Sequence, residues 1–154
     1  MSYRSHAFFR VRFLPVFLWA FLVFAAFPAF ASASGQPEVD VVLVLDQSGS
    51  MVETDPGYLC RDASRAFVMK LAEGCSARVA VVPFSDELGQ TLPLTPLGEE
   101  DALARVISFL DSFTYTSGDT DIGKAMEAAA ALLIEGGRSD SAKLIVLLTD
   151  GVID

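Results

Sequence analysis

The stretch VDVVLVLDQSGSMVETD, residues 39–55, decides how the rest of the chain is read. Val39 to Leu45 form an almost unbroken apolar run. A strand without polar alternation is one buried on both faces, as in a parallel sheet covered by helices. The run ends on an acid and two hydroxyls at alternating positions, Asp46, Ser48 and Ser50. In an extended or tightly turned segment alternate side chains point the same way, so three hard oxygen donors are offered together at the end of a buried strand. Gly49 is expected to relieve crowding so that Ser50 comes round to the same point.

Working outward, strands and helices alternate. Asp55-Pro56-Gly57 reads as a turn, or as a helix start with Pro in first position. Leu59, Ala63, Ala66, Phe67 and Leu71 recur at helical spacing up to Gly74, and Phe67 and Met69 are assigned to the core. Arg78 to Phe84 is a second strand, and Thr91-Leu92 a short edge strand confined there by the nearby prolines. Glu99, Glu100 and Asp101 charge the first turn of a second helix with Leu103, Val106, Ile107 and Leu110 inward, an arrangement its dipole favours. A polar loop, Thr114 to Thr120, leads into a third helix with Ile122, Ala125, Met126, Ala129, Leu132 and Leu133 inward, ended by Gly136-Gly137. Lys143 to Leu148 is a further strand running into Thr149-Asp150-Gly151. This order predicts an α/β fold with a mainly parallel, Rossmann-like sheet flanked by helices.

Residues 1–33 are set apart by composition. A basic start precedes an apolar run from Phe13 to Phe30 and a group of small residues, Ala29 to Ala33. That is the order of a secretory signal cleaved after Ala31 or Ala33; the run is also long enough to serve as an uncleaved membrane anchor. Either way the arginines stay cytoplasmic and the body is exported, to the periplasm, the medium or the outer face of the membrane. The whole chain of 154 residues carries −9. Arg4, Arg10 and Arg12 lie in the leader, so 8 of the 11 basic and all 20 acidic residues follow it, and the remainder carries −12. A body that acidic repels nucleic acid and anionic lipid surfaces. Cys60 and Cys75 flank a predicted helix that separates them by roughly 20 Å, too far for a bridge. Two free thiols are expected, or one exposed thiol pairing between chains.

Sites in open α/β sheets form beyond the carboxyl ends of the strands. Three loops lie there: Asp46, Ser48 and Ser50 in the first, Thr120 beside Asp119 and Asp121 in the second, Asp150 in the third. Every donor is an oxygen, and the sole histidine, His6, is in the leader. Such a set favours Mg²⁺, Mn²⁺ or Ca²⁺ over Zn²⁺ or Cu²⁺. Neutral hydroxyls would leave the ion with residual positive charge and an open position for an anionic ligand. Taken singly, Asp46, Ser48, Ser50 and Asp150 also read as turn residues, and Thr120 as an N-cap.

DQSGSM, GDTDIGKAM and LLTDG, in that order and spacing, resemble the metal-ion-dependent adhesion site of a von Willebrand factor type A domain. VETDPGYL followed by a helix is similar to exported bacterial members of that family. The resemblance covers about residues 38–154. It implies that Ser48, Ser50 and Thr120 bind the ion directly, and that Asp46 and Asp150 bind directly or through water. It further implies that a carboxylate of a partner protein takes the sixth place. Asp119 and Asp121 are read as local and helix-start charges. The family continues with more helices and two further strands, so this chain reads as a partial domain whose last strand is left as an open apolar edge.

Other chemistries fit less well. A haloacid-dehalogenase-like phosphatase needs a second acid where Ser48 stands. A dinucleotide site needs G-x-G-x-x-G, which is absent. A serine nucleophile lacks a base once the leader is set aside. The expected function is therefore a non-enzymatic, metal-dependent protein-binding module. The alternatives are a scaffold piece assembling through its open sheet edge and, further off, a metal-dependent phosphatase.

Overall fold

The structure is a computed structural model and describes residues 35–151. The leader expected over 1–33 lies outside the described residues, and among these no helix is long and apolar enough to cross a membrane. The elements are β1 (Glu38–Asp46), α1 (Met51–Thr54), α2 (Leu59–Gly74), β2 (Ser76–Phe84), β3 (Leu92–Pro96), α3 (Glu100–Asp111), α4 (Ile122–Gly136) and β4 (Ala142–Leu148). They build a four-stranded mixed sheet in the order β3-β2-β1-β4. β1 runs parallel to both β2 and β4, and only β3 is antiparallel.

The apolar run of β1 is buried because helices cover both faces. Alternate residues serve opposite layers, as a strand's period of two requires. Val41, Leu43 and Leu45 pack with Val79 and Val81 of β2 beneath Val68 of α2 and Val106 and Leu110 of α3. Val42 and Val44 pack with Ala80, Val82 and Phe84 beneath Ala125, Ala129 and Leu133 of α4. β3 carries Pro93 and Pro96 and extends further than the Thr91-Leu92 expected. It does so because an edge strand tolerates residues that cannot donate.

One local reading is corrected. Helix α2 buries Cys60, Ser64 and Val68, not Leu59, Ala63 and Ala66; Leu59 is 72% and Met69 51% exposed. The stripe sits one residue over because the Ser64 hydroxyl donates to the Cys60 carbonyl, 2.7 Å away, and is buried as if apolar. Asp55-Pro56-Gly57 is a turn, and α2 starts only at Leu59. Cys60 and Cys75 are both free, one buried and one half-buried.

The one break in the apolar run, Asp40, is fully buried at the far end of β1 from the candidate site. Arg78 of β2 meets its carboxylate with two donors, at 2.9 and 2.7 Å. Arg138, between α4 and β4, adds its backbone N–H and its guanidinium, and Ser141 adds a hydroxyl. Arg138 also reaches the carbonyls of Val39 and Ser76, so it ties β1 and β2 to the lead into β4. Burial pushes the Asp40 carboxyl up, but the Arg78, Arg138 and Ser141 bonds outweigh that and hold it well below the usual range.

Candidate metal centre

The parallel register carries β1, β2 and β4 to their carboxyl ends together. Asp46 closes the β1–β2 pairing opposite Phe84, and Leu45 pairs with Leu148 of β4. The first loop then folds back on itself. The Ser48 N–H donates to Asp46 Oδ1 at 2.8 Å, and the Ser48 and Ser50 hydroxyls lie 3.2 Å apart. Ser50 already has helical backbone and opens α1, whose Met51 is buried and anchors the loop. Asp46, Ser48 and Ser50 thus converge as their alternation implies. Asp46 and Ser48 are almost wholly buried, at 0% and 1% exposure.

The second loop is lashed to the first. The Thr116 N–H donates to the Gln47 carbonyl at 2.7 Å, Gln47 Nε2 to the Thr114 carbonyl at 2.8 Å, and the Gly49 N–H to the Gly118 carbonyl at 3.2 Å. Its far end is held where the Asp121 N–H meets the Ser85 carbonyl at the end of β2. Thr120 is half-buried on the wall of a cavity of about 430 Å³ shared with Asp86, Asp119 and Asp121. It does not cap α4. Asp121 is the N-cap, its Oδ1 accepting from the Lys124 N–H at 2.9 Å, which suits its reading as a helix-start charge. Asp150, from the third loop, joins the group through Thr54: the Thr54 hydroxyl donates to Asp150 Oδ2 at 2.7 Å.

The glycine that matters here is not the one expected. A Cβ on Gly49 would meet nothing nearer than 3.8 Å, so the anticipated crowding is absent. Gly118 instead sits at φ +136, where a Cβ would come within 2.5 Å of Asp86 Oδ1. Its freedom from a side chain is what lets the second loop lie against the end of β2.

Beneath the loops lies a polar knot that the sequence reading passed over. Asp55 accepts from the Leu59 and Cys60 N–H groups and, at 2.6 Å, from the Tyr115 hydroxyl. Burial pushes Asp55 up, but the Cys60, Tyr115 and Leu59 donors prevail and its carboxyl lies below the usual range. Burial, then the hydrogen bond to Asp55, pushes the Tyr115 phenol far up; burial also raises the Cys60 thiol, 3.2 Å from that phenol oxygen. The Tyr115 ring stacks on Tyr58, at 4.7 Å between centroids, and Arg61 lies over the other ring. This packing holds Tyr58 at φ 58, a backbone rarely adopted by a bulky residue. The only local signal for the knot was an acid just ahead of a helix.

The donor set suits a hard divalent cation. Hydroxyl and carboxylate oxygens converge, and among the described residues no three His, Cys, Asp or Glu side chains form a metal-binding group. The partners of the buried Asp46 carboxylate are the Ser48 N–H and the Thr149 hydroxyl, at 2.6 Å. No Lys or Arg pairs with it among the described residues. A buried carboxylate without a counter-charge is costly, and a cation at the Ser48–Ser50 pair would supply one.

Comparison with known proteins bears on the fold and the family. Calcium-activated chloride channel regulator 1 of Bos taurus is 29% identical over 124 residues, which are 80% of this chain and 13% of that protein. Among solved structures, the pilus adhesin SpaC of Lactobacillus rhamnosus GG is similar at 25% identity and TM-score 0.62, over 76% of this chain and 15% of that one. The PilB minor pilin of Streptococcus sanguinis is similar at 25% and 0.63, over 77% and 31%. The vWF domain of the pili tip protein Mfa5 of Porphyromonas gingivalis shares the fold, at 23% and 0.64, over 79% and 40%. The chain thus spans well under half of each of these relatives. The von Willebrand factor type A domain family matches residues 40–154, and the chain belongs to that family.

Proposed function

We propose that this domain is an exported, non-enzymatic adhesion module that grips an acidic residue of a partner protein through a divalent cation. The observation that carries the reading is Asp46: a fully buried carboxylate, met among the described residues by neutral donors alone, beside two converging serine hydroxyls. Ser48, Ser50 and Thr120 are the residues we assign to hold the cation directly. Asp46 and Asp150 are assigned to hold it directly or through water. Mg²⁺, with Mn²⁺ or Ca²⁺ as substitutes, would supply a positively charged open position for a carboxylate. Asp46 and Ser48 are shielded from solvent, and Thr120 lines a cavity with Asp86, Asp119 and Asp121. The acidic cavity wall disfavours nucleic acid. Neither serine has a histidine to activate it, since His6 is the only one in the chain. The similarity to pilus proteins supports an extracytoplasmic place, and the expected leader supplies the route.

The test is a calorimetric titration of the chain with Mn²⁺, followed by a carboxylate-bearing peptide library with and without chelator. Saturable Mn²⁺ binding that Ser48→Ala removes, with peptide capture only in its presence, is the expected result. Capture that persists in chelator contradicts the reading.

A second reading, assembly through the sheet edge, has its own observation. β4 carries Leu144 and Leu147 at 42% and 36% exposure. A cavity of about 350 Å³ lined by Met51, Leu59, Cys60, Leu147 and Leu148 lies beside it. On that reading Leu147→Lys abolishes complex formation while chelator leaves it intact.

A further inference from the structure

Two hydroxyls outside the five assigned ligands cross between the first and third loops in opposite directions. Thr149, from the third loop, donates to Asp46 Oδ2 at 2.6 Å. Thr54, at the end of α1, donates to Asp150 Oδ2 at 2.7 Å. Each side gives a hydroxyl to the other side's carboxylate. The register accounts for the first bond. Leu45 pairs with Leu148, so Asp46 and Thr149 leave the sheet side by side. The second depends on α1, whose single turn brings Thr54 over the loop. Its hydroxyl also lies 3.1 Å from the Ser50 carbonyl, four residues back. One hydroxyl proton serves one acceptor at a time, and the charged, closer carboxylate is the stronger of the two. Thr149 in turn accepts the Gly151 N–H at 3.0 Å, turning the chain just after Asp150, where Gly151 stands at φ +77.

A hydroxyl has a property that suits this place. It fixes a carboxylate's orientation without adding charge. An arginine would orient Asp46 as well, as Arg78 orients Asp40 at the other end of β1, but its charge would repel a cation. The β-branch of threonine also restricts χ1, so the donor is aimed before anything binds.

We infer that Thr54 and Thr149 form a reciprocal pair of positioning residues that set the orientation of Asp46 and Asp150 around the Ser48 and Ser50 hydroxyls. The pair touches no ion itself, and the inference rests on the cation reading given above. Groups that hold ligands in this way typically change metal affinity by about 10–100-fold when removed.

The experiment is a calorimetric titration of the full chain with Mn²⁺ alone, for wild type, Thr54→Val, Thr149→Val, Thr54→Ser and Thr149→Ser. Valine keeps the shape and removes the hydroxyl; serine keeps the hydroxyl. Each valine variant should bind about tenfold more weakly or worse, and each serine variant should return most of the affinity. Amide exchange without metal gives a second readout: the Ser48 N–H should exchange faster in Thr149→Val and as in wild type in Thr149→Ser. Should Thr149→Val fail to fold cooperatively, Thr54→Val decides, because Thr54 is exposed. Valine variants with wild-type affinity, or serine variants as weak as valine, overturn the pair and leave the cation reading standing. A wild-type chain that binds no Mn²⁺ overturns the cation reading and this role with it.

Discussion

Two aspartates on one strand have opposite company. Asp40 and Asp46 both lie on β1 and both are fully buried. Asp40 is met by two guanidinium groups, from Arg78 and Arg138, and its charge is answered from within the chain. Asp46 is met by a backbone N–H and a hydroxyl. Both are buried and both accept hydrogen bonds, but Asp40 accepts more of them, and among the described residues it alone of the two has a counter-charge. The first arrangement belongs to a structural clamp that holds three strands together. On the proposed reading, the second belongs to a site whose counter-charge a bound cation would bring.

The largest effect that could break this comparison lies at the clamp. Arg138→Met leaves Asp40 with one cation and unties the lead into β4; unfolding in urea should show a loss of about 3 kcal/mol. The clamp is also sensitive to acid. The folded Asp40 pKa is depressed, so its contribution is present above the ordinary aspartate value of about 3.9 and is lost as pH falls through it toward the folded value. Asp40→Asn should be less stable at neutral pH, and its stability should fall less steeply in acid.

Asp46→Asn should behave in the opposite way. Without metal its stability should match or exceed that of wild type, because an uncompensated charge is removed while hydrogen bonding continues. In saturating Mg²⁺ it should forgo the stabilisation wild type gains, about 2.7 kcal/mol at a hundred times Kd. If both asparagine variants lose the same stability without metal, the two acids are alike and the contrast fails.

Smaller effects sharpen the picture. Gly118→Ala forces a side chain onto a positive-φ position against Asp86 and should cost about 2 kcal/mol by thermal unfolding. It should also weaken Mn²⁺ binding by displacing the loop that bears Thr120, whereas Gly49→Ala should do neither. Met69→Ser, on the exposed side of α2, should stay within about 0.5 kcal/mol.

The convergence of Asp46, Ser48 and Ser50 was legible because its signals are local. An apolar run ending in D-x-S-x-S needs only neighbours in sequence, and the strands' common direction then gathers the three loops. The clamp was not legible, since Asp40 finds Arg78 and Arg138 across 38 and 98 residues. Nothing in the run itself marks that one acid as paired. The inward face of α2 was misread because Ser64 satisfies its own hydroxyl and packs as an apolar residue would. Gly49 drew attention by standing inside the motif, but the backbone constraint fell on Gly118, in the loop facing it. Thr54 and Thr149 were silent because their roles exist only once the first and third loops lie side by side.

The most direct test of the central claim is the thermal unfolding midpoint of the full chain, with and without Mg²⁺ or Mn²⁺, measured beside Ser48→Ala. A ligand that binds only the folded state must raise the midpoint. The account predicts an upward shift in the wild type and none in the variant. A cooperative transition that metal does not move contradicts it.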